Sequence, residues 1–227
     1  MPEKILILGG TAEAAKLAVE LVAAGHDVTT SLAGRTREPV PVAGKTRIGG
    51  FGGADGLAQY LRVEKFGRLI DATHPFAQRI SANAKRAAEL AGIAFEQHVR
   101  PAWPRQPGDN WIEVSSLEQA RDALPSGAQV LLAIGSQYLQ IFSTRADVHF
   151  VIRRIDPPGP LPFEDYELVI ARPGTIDEET TLLRGKRITH VVCRNSGGDA
   201  AYAKIEAARE LGIPVIMIAR PKSDGKR

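Results

Sequence analysis

The stretch KILILGGTAEAAKLAVELVAAG, residues 4–25, decides how the chain is read. KILIL has the continuous apolar character of a strand buried on both faces, and it runs into two glycines. An alanine-rich helical pattern follows and stops at Gly25, a residue suited to a helix C-terminus. A tight strand-to-helix turn points backbone amides beyond the strand's carboxyl end, and such amides attract phosphate. The G-x-G-x-x-G spacing of a dinucleotide fingerprint is absent. On the residues alone, Gly9, Gly10, Thr11 and Ala12 read equally well as a phosphate cradle or as a turn that binds nothing.

From this unit the same alternation extends outward. Strand patterns at 27–32, 68–73 and 94–99 are separated by helical ones, with a short strand around Thr46–Ile48. Pro75 is expected in the first turn of the helix FAQRISANAKRAAELAG. RPAWPRQPGDN, residues 100–110, is rich in proline and reads as a linker. Strands at 129–135, 149–155 and 190–195 and the closing PVIMIAR then alternate with four more helical stretches. Such a series implies βαβ units and parallel sheets. The fold class is therefore α/β, as two Rossmann-like, doubly wound domains over 1–102 and 103–227. A ligand is expected in a cleft between them, beyond the strands' carboxyl ends.

Composition removes several function classes. The 227 residues are 44% hydrophobic and 24% charged, an ordinary balance for a globular chain. No apolar run approaches the roughly 20 residues needed to cross a membrane, and no signal peptide is legible at the N-terminus. A single cysteine precludes an intramolecular disulfide and fits a cytoplasmic location; Cys193 reads as a small buried hydrophobe. The net charge of +3 comes without a basic helix or interleaved aromatics, so a nucleic-acid partner is not expected. Scattered arginines suit a small polyanion. No cluster of metal ligands is evident.

Side-chain chemistry sharpens the nucleotide reading. The second strand ends TTSLAGRT, without the acid that grips an NAD ribose. Arg35 and Arg37 stand there instead, with Thr36 between them as a further cofactor candidate, and an arginine fork favours the 2′-phosphate of NADPH. GGFGGADG, containing Gly52, reads either as a wall of the cofactor cleft or as a turn with Asp55 capping a helix. Thr73 and His74 follow a strand end, where ligands lie; His74 titrates near neutrality and is the candidate catalytic acid, or else a packed helix-start histidine. Arg194, Asn195, Ser196, Gly197 and Gly198 repeat the strand–glycine–helix logic as a second anion cradle. AIGSQYL, residues 133–139, is a third such junction.

Taken together, GGTAEA, GRT, GGFGGADGL, DATHPFA, ISANA, RPAW, NSGG, YAKIEAAR and PVIMIARP resemble the precorrin-6A reductases of cobalamin biosynthesis. The resemblance covers nearly the whole chain in the same order. It implies NADPH-dependent reduction of one carbon–carbon double bond in a tetrapyrrole, giving precorrin-6B. It also implies a polycarboxylate substrate for Arg100, Arg154, Arg172, Arg194 and Lys204, and hand-over to other cobalamin-pathway enzymes. His74, Lys204, Tyr202 or water would supply the proton. Where the family pattern often has lysine before NSGG, this chain has Arg194, which keeps the charge but changes the donor geometry. Two alternatives stay open: the same reduction on cobalt-precorrin-6A, and a non-enzymatic NADPH sensor on a Rossmann scaffold.

Overall fold

The computed structural model describes residues 1–34, 41–157 and 159–221. It divides into two compact units, Met1–Arg100 and Pro101–Arg227. The first holds β1 (Lys4–Leu8), α1 (Ala12–Ala23), β2 (Asp27–Leu32), β3 (Lys45–Ile48), α2 (Ala54–Val63), β4 (Arg68–Asp71), α3 (Gln78–Ala91) and β5 (Ala94–Gln97). Its strands pair in the order β3-β2-β1-β4-β5, parallel throughout. Strand order reverses between β1 and β4, and ligands of open α/β sheets lie at such a switch.

Period-two alternation in β1 explains the layers. Ile5 and Ile7 face one side, where they meet Ala14 and Ala18 of α1. Leu6 and Leu8 face the other, packed with Leu57 and Leu61 of α2 and Ala84, Ala87 and Ala88 of α3. Small alanines let the helices approach the sheet closely. The edge strand β3, KTRI, keeps the charged Lys45 exposed, which discourages further strand pairing. At α1 the N-cap is Thr11, whose hydroxyl accepts from the Ala14 amide.

The second unit contains β6 (Trp111–Val114), α4 (Leu117–Asp122), β7 (Gln129–Ala133), β8 (His149–Arg154), β9 (Tyr166–Ile170), α5 (Ile176–Gly185), β10 (His190–Arg194), α6 (Ala203–Glu210) and β11 (Val215–Ile218). All six strands are parallel, in the order β6-β11-β10-β7-β8-β9. The reversal here falls between β7 and β10. One face packs Leu131, Val151, Val191, Cys193 and Met217 under Leu183, Ile205, Ala207 and Ala208. On the other, Phe142 meets Phe150 edge-on with centroids 6.1 Å apart. A capping box at Thr175 and Glu178 starts α5. Cys193 is indeed a buried thiol, 3.9 Å from the Met217 sulfur.

Two local expectations are corrected. The third helix begins at Gln78, not at Pro75, because Ala77 donates to the His74 carbonyl and closes a separate turn first. Gly53, not Asp55, is the N-cap of α2; Asp55 contributes only its charge to the first turn. SQYLQIF is a 3₁₀ helix, Ser136–Phe142.

Candidate functional site

An open cleft, about 730 Å³ counted out to its mouth, lies at the carboxyl ends of β1, β2 and β4. Gly9 and Gly10 form one side, Leu32, Ala33, Gly34 and Ile48 another, and Thr73, His74, Ala77 and Ile80 the third. The two glycines divide the labour. Gly9 donates its amide to Ser31, and a Cβ there would stand 2.7 Å from the Thr30 methyl. It lets β2 close on the turn and offers a ligand no amide. Gly10 has φ +105° and nothing within 4 Å of where a Cβ would be.

The amides of Gly10, Thr11 and Ala12 donate to no acceptor among the described residues. The Thr11 hydroxyl accepts from Ala14 at 3.1 Å and donates to the Ala72 carbonyl at 2.9 Å. Thr11 therefore ties the β1 turn to the end of β4 with its hydroxyl proton, and its N–H is left for a ligand. Exposed amides at a helix N-terminus, an unobstructed Gly10 and a cleft beside them fit the phosphates of a dinucleotide.

Across the cleft, Asp71 is buried and organises the β4 turn. Its Oδ1 accepts from the Thr73 amide at 3.1 Å and from the Thr73 hydroxyl at 2.7 Å. Thr73 thus turns acceptor lone pairs, not its proton, toward a ligand. His74 Nδ1 accepts from the Phe76 amide at 3.3 Å, so the neutral ring carries its proton on Nε2. Sequence reasoning missed Asp71, although a strand-end acid two residues before a threonine is an Asx-turn signal. It also missed Arg47 of β3. That guanidinium lies 3.8 Å from the Phe51 ring centroid and donates to the Gly49 and Gly50 carbonyls, fixing the GGFGG turn. Gly52 has φ +77° and is not among the cleft's lining residues. Arg35 and Thr36 lie outside the described residues.

In the second unit, three anticipated arginines share one edge of the sheet. Arg154 ends β8, Arg172 follows β9, and Arg194 ends β10 with its guanidinium 4.9 Å from the Tyr138 ring centroid. Tyr138 belongs to the 3₁₀ helix after β7, so the contact straddles the switch of this sheet. Arg154 Nε is buried and has no partner among the described residues, a donor that an incoming carboxylate would satisfy. Beneath it Arg153 pairs with the buried Glu179, which also accepts from the Gly174 amide.

Other anticipated substrate residues have different work. Asn195 accepts from the Trp103 amide at 2.8 Å and donates to the Trp103 carbonyl at 3.0 Å. Trp103 Nε1 donates to the Gly198 carbonyl at 2.7 Å. Arg220 donates to the Pro101, Asn195 and Ser196 carbonyls. A Cβ on Gly197, whose φ is +67°, would stand 1.9 Å from the Pro101 oxygen. NSGG is thus a clasp on residues 101–103 and not an open anion cradle. The Ser196 hydroxyl turns back to the Arg194 carbonyl at 3.2 Å.

Lys204 is 5% exposed, donates to the Ala201 carbonyl and lies 5.1 Å from the Trp103 ring centroid. Burial holds its pKa below the ordinary lysine value. It is an internal strut, sealed from a substrate carboxylate. Arg100 belongs to the first unit, where its Nη1 meets Glu13 Oε2 at 2.5 Å.

Comparison with known proteins identifies the family. The family model described as precorrin-6x reductase CbiJ/CobK matches residues 4–227. A precorrin-6A reductase of Rhodobacter capsulatus is 50% identical over 221 residues, covering 96% of this chain and 88% of the relative. A cobalt-precorrin-6A reductase of Priestia megaterium is 32% identical over 234 residues, covering 96% of this chain and 91% of the relative. A solved structure described as CobK precorrin-6A reductase matches with a TM-score of 0.94 at 48% identity, covering 100% of this chain and 91% of that one. With the match extending through both sheets, the chain belongs to the precorrin-6x reductase CbiJ/CobK family.

Proposed function

We propose that the protein is an NADPH-dependent oxidoreductase that converts precorrin-6A to precorrin-6B by reducing one carbon–carbon double bond, in cobalamin biosynthesis. One observation carries this reading: the family match runs from residue 4 to 227, so the glycine turn and the arginine-bearing strand ends both fall within it. When bound, NADPH supplies the hydride. Residues 1–102 bind it and residues 103–227 bind the macrocycle. The Gly10, Thr11 and Ala12 amides hold the diphosphate, Arg35 and Thr36 the 2′-phosphate, and Thr73 accepts from a ligand hydroxyl or amide. Arg154, Arg172 and Arg194 take substrate carboxylates. His74 delivers a proton from Nε2. Tyr202, whose hydroxyl accepts from Arg209 at 2.8 Å, is the second proton source in this reading.

A second reading, the same reduction on cobalt-precorrin-6A, has the weaker support, since identity is 32% to a cobalt-precorrin-6A reductase against 50% to a precorrin-6A reductase. Among the described residues no helix is long and apolar enough to cross a membrane. The proposal places the enzyme in the cytoplasm, without membrane or nucleic-acid partners, exchanging its macrocycle with other enzymes of the pathway.

Incubation with NADPH and precorrin-6A tests the reading directly. The expected result is loss of NADPH absorbance with a product heavier by two hydrogens, and a lower kcat/KM on the cobalt-containing macrocycle. Arg35→Ala should weaken NADPH by about 1.5–3 kcal/mol and leave NADH nearly unchanged. Arg194→Ala should weaken the tetrapyrrole and spare NADPH. No turnover of either macrocycle, with cofactor binding intact, would favour the sensor.

A further inference from the structure

We infer that Arg100 is a positioning residue of the cofactor site: its ion pair with Glu13 neutralises an acid that would otherwise repel the diphosphate from the glycine turn. The inference rests on the reading that the diphosphate lies at Gly10–Ala12.

Glu13 stands in the first turn of α1, three residues beyond Gly10. An acid there stabilises the helix, because the helix N-terminus carries partial positive charge. The unpartnered amides of the turn offer that same positive charge to a phosphate. Two anions therefore compete for one electrostatic resource. Arg100 resolves the conflict. It is the last residue of the first unit, and its Nη1 meets Glu13 Oε2 at 2.5 Å. The two side chains are only 13% and 25% exposed, so water and salt screen the pair weakly. With Arg100 present, the Glu13–Arg100 pair adds no net charge beside the turn. Without it, one uncompensated carboxylate faces a dianionic diphosphate within the first helical turn. The sequence-based role of Arg100, as a ligand for substrate carboxylates, needs the same guanidinium elsewhere.

The test titrates NADPH and NADH directly into the full-length protein and into Arg100→Gln, Glu13→Gln and the double variant. Arg100→Gln should weaken both cofactors alike, roughly five- to tenfold, the scale of charge repulsion over several ångströms near a protein surface. Glu13→Gln should bind at least as tightly as the parent. The double variant should return to about the parent affinity. Raising salt to about 1 M, where the screening length is about 3 Å, should shrink the Arg100→Gln defect.

A mere fastener predicts otherwise. Each single variant breaks the same bond, so both would weaken binding equally and the double would not recover; that result overturns the inference. Normal cofactor affinity in Arg100→Gln with loss of the tetrapyrrole also overturns it, in favour of the substrate role. If Arg100→Gln does not fold, weaker NADPH binding by Glu13→Gln alone is sufficient to reject the idea. Gly10→Val separates the two levels. Undiminished NADPH binding by Gly10→Val removes the underlying reading. Lost binding there, beside a neutral Arg100→Gln, removes only the role of Arg100.

Discussion

The turns at Gly10 and Gly197 share a sequence pattern, a strand followed by two glycines and a helical segment, and differ in what surrounds them. Nothing lies within 4 Å of a Cβ at Gly10, and the amides after it are unpartnered among the described residues. At Gly197 the space is filled by the Pro101 carbonyl and the Arg220 guanidinium, and Asn195 grips Trp103 from both sides. The same letters make an open turn in one unit and a closed clasp in the other. The deciding residues, Trp103 and Arg220, are 92 and 25 positions from Asn195. A glycine motif specifies backbone freedom; whether that freedom serves a ligand or another stretch of chain depends on distant residues.

This contrast can be broken most forcefully at Gly197. Gly197→Ala adds an overlap with backbone and a left-handed strain, together roughly 3 kcal/mol or more. In a chain of this size, thermal unfolding should show a midpoint lower by about 6–12 °C. NADPH affinity should hardly move. A variant that melts like the parent would show that the clasp is not under tension.

Next in size is Asn195→Ala, which leaves the Trp103 amide and carbonyl without their partner. The expected loss is about 1–3 kcal/mol in denaturant unfolding, again with cofactor binding retained. Should Asn195→Ala leave stability intact and weaken only the tetrapyrrole, Asn195 is a substrate residue after all.

Gly10→Ala is the mirror case. Its stability cost is only the backbone penalty at φ +105°, about 1–2 kcal/mol. Isothermal titration should show a clear fall in affinity for NADPH and NADH alike. Unchanged affinity would make the first turn as ligand-free as the second.

The smallest effect is a pH slope at Lys204. Its pKa is lowered in the folded state by burial, so the unfolded chain binds more protons between that lowered value and the ordinary one near 10.5. The penalty for charging Lys204 is present at lower pH and is relieved as pH rises through that window. Lys204→Met removes the group, and unfolding midpoints should then rise less, or fall more, between neutral and alkaline pH than in the parent.

Much of the fold was legible because parallel strands buried on both faces write themselves as apolar runs, as in KILIL, QVLLA and HVVCR. The order of strands in the second sheet was not, since nothing local says that β6 lies beside β11. The cleft was half legible. Gly10, Thr73 and His74 line it, while the distance between Glu13 and Arg100 in the chain concealed their pairing. Lys204 was misread because lysine is so rarely buried. The resemblance suggested a substrate contact, but its ammonium lies against the Trp103 ring and donates to the Ala201 carbonyl.

The pairing of β6 with β11 also bears on synthesis. β6 is the first strand of its unit, and its neighbour in the sheet is the last strand described. On the ribosome, the first unit has all five of its strands available early, with connections short enough to close as the chain emerges. The second waits. Trp111 and Ile112 have no partner until Val215 and Ile216 appear, and that long-range closure is slow by nature. Until then the unit offers an unfinished edge to neighbouring nascent chains. A stalled or prematurely ended message would therefore yield a sound first unit attached to an adhesive second one.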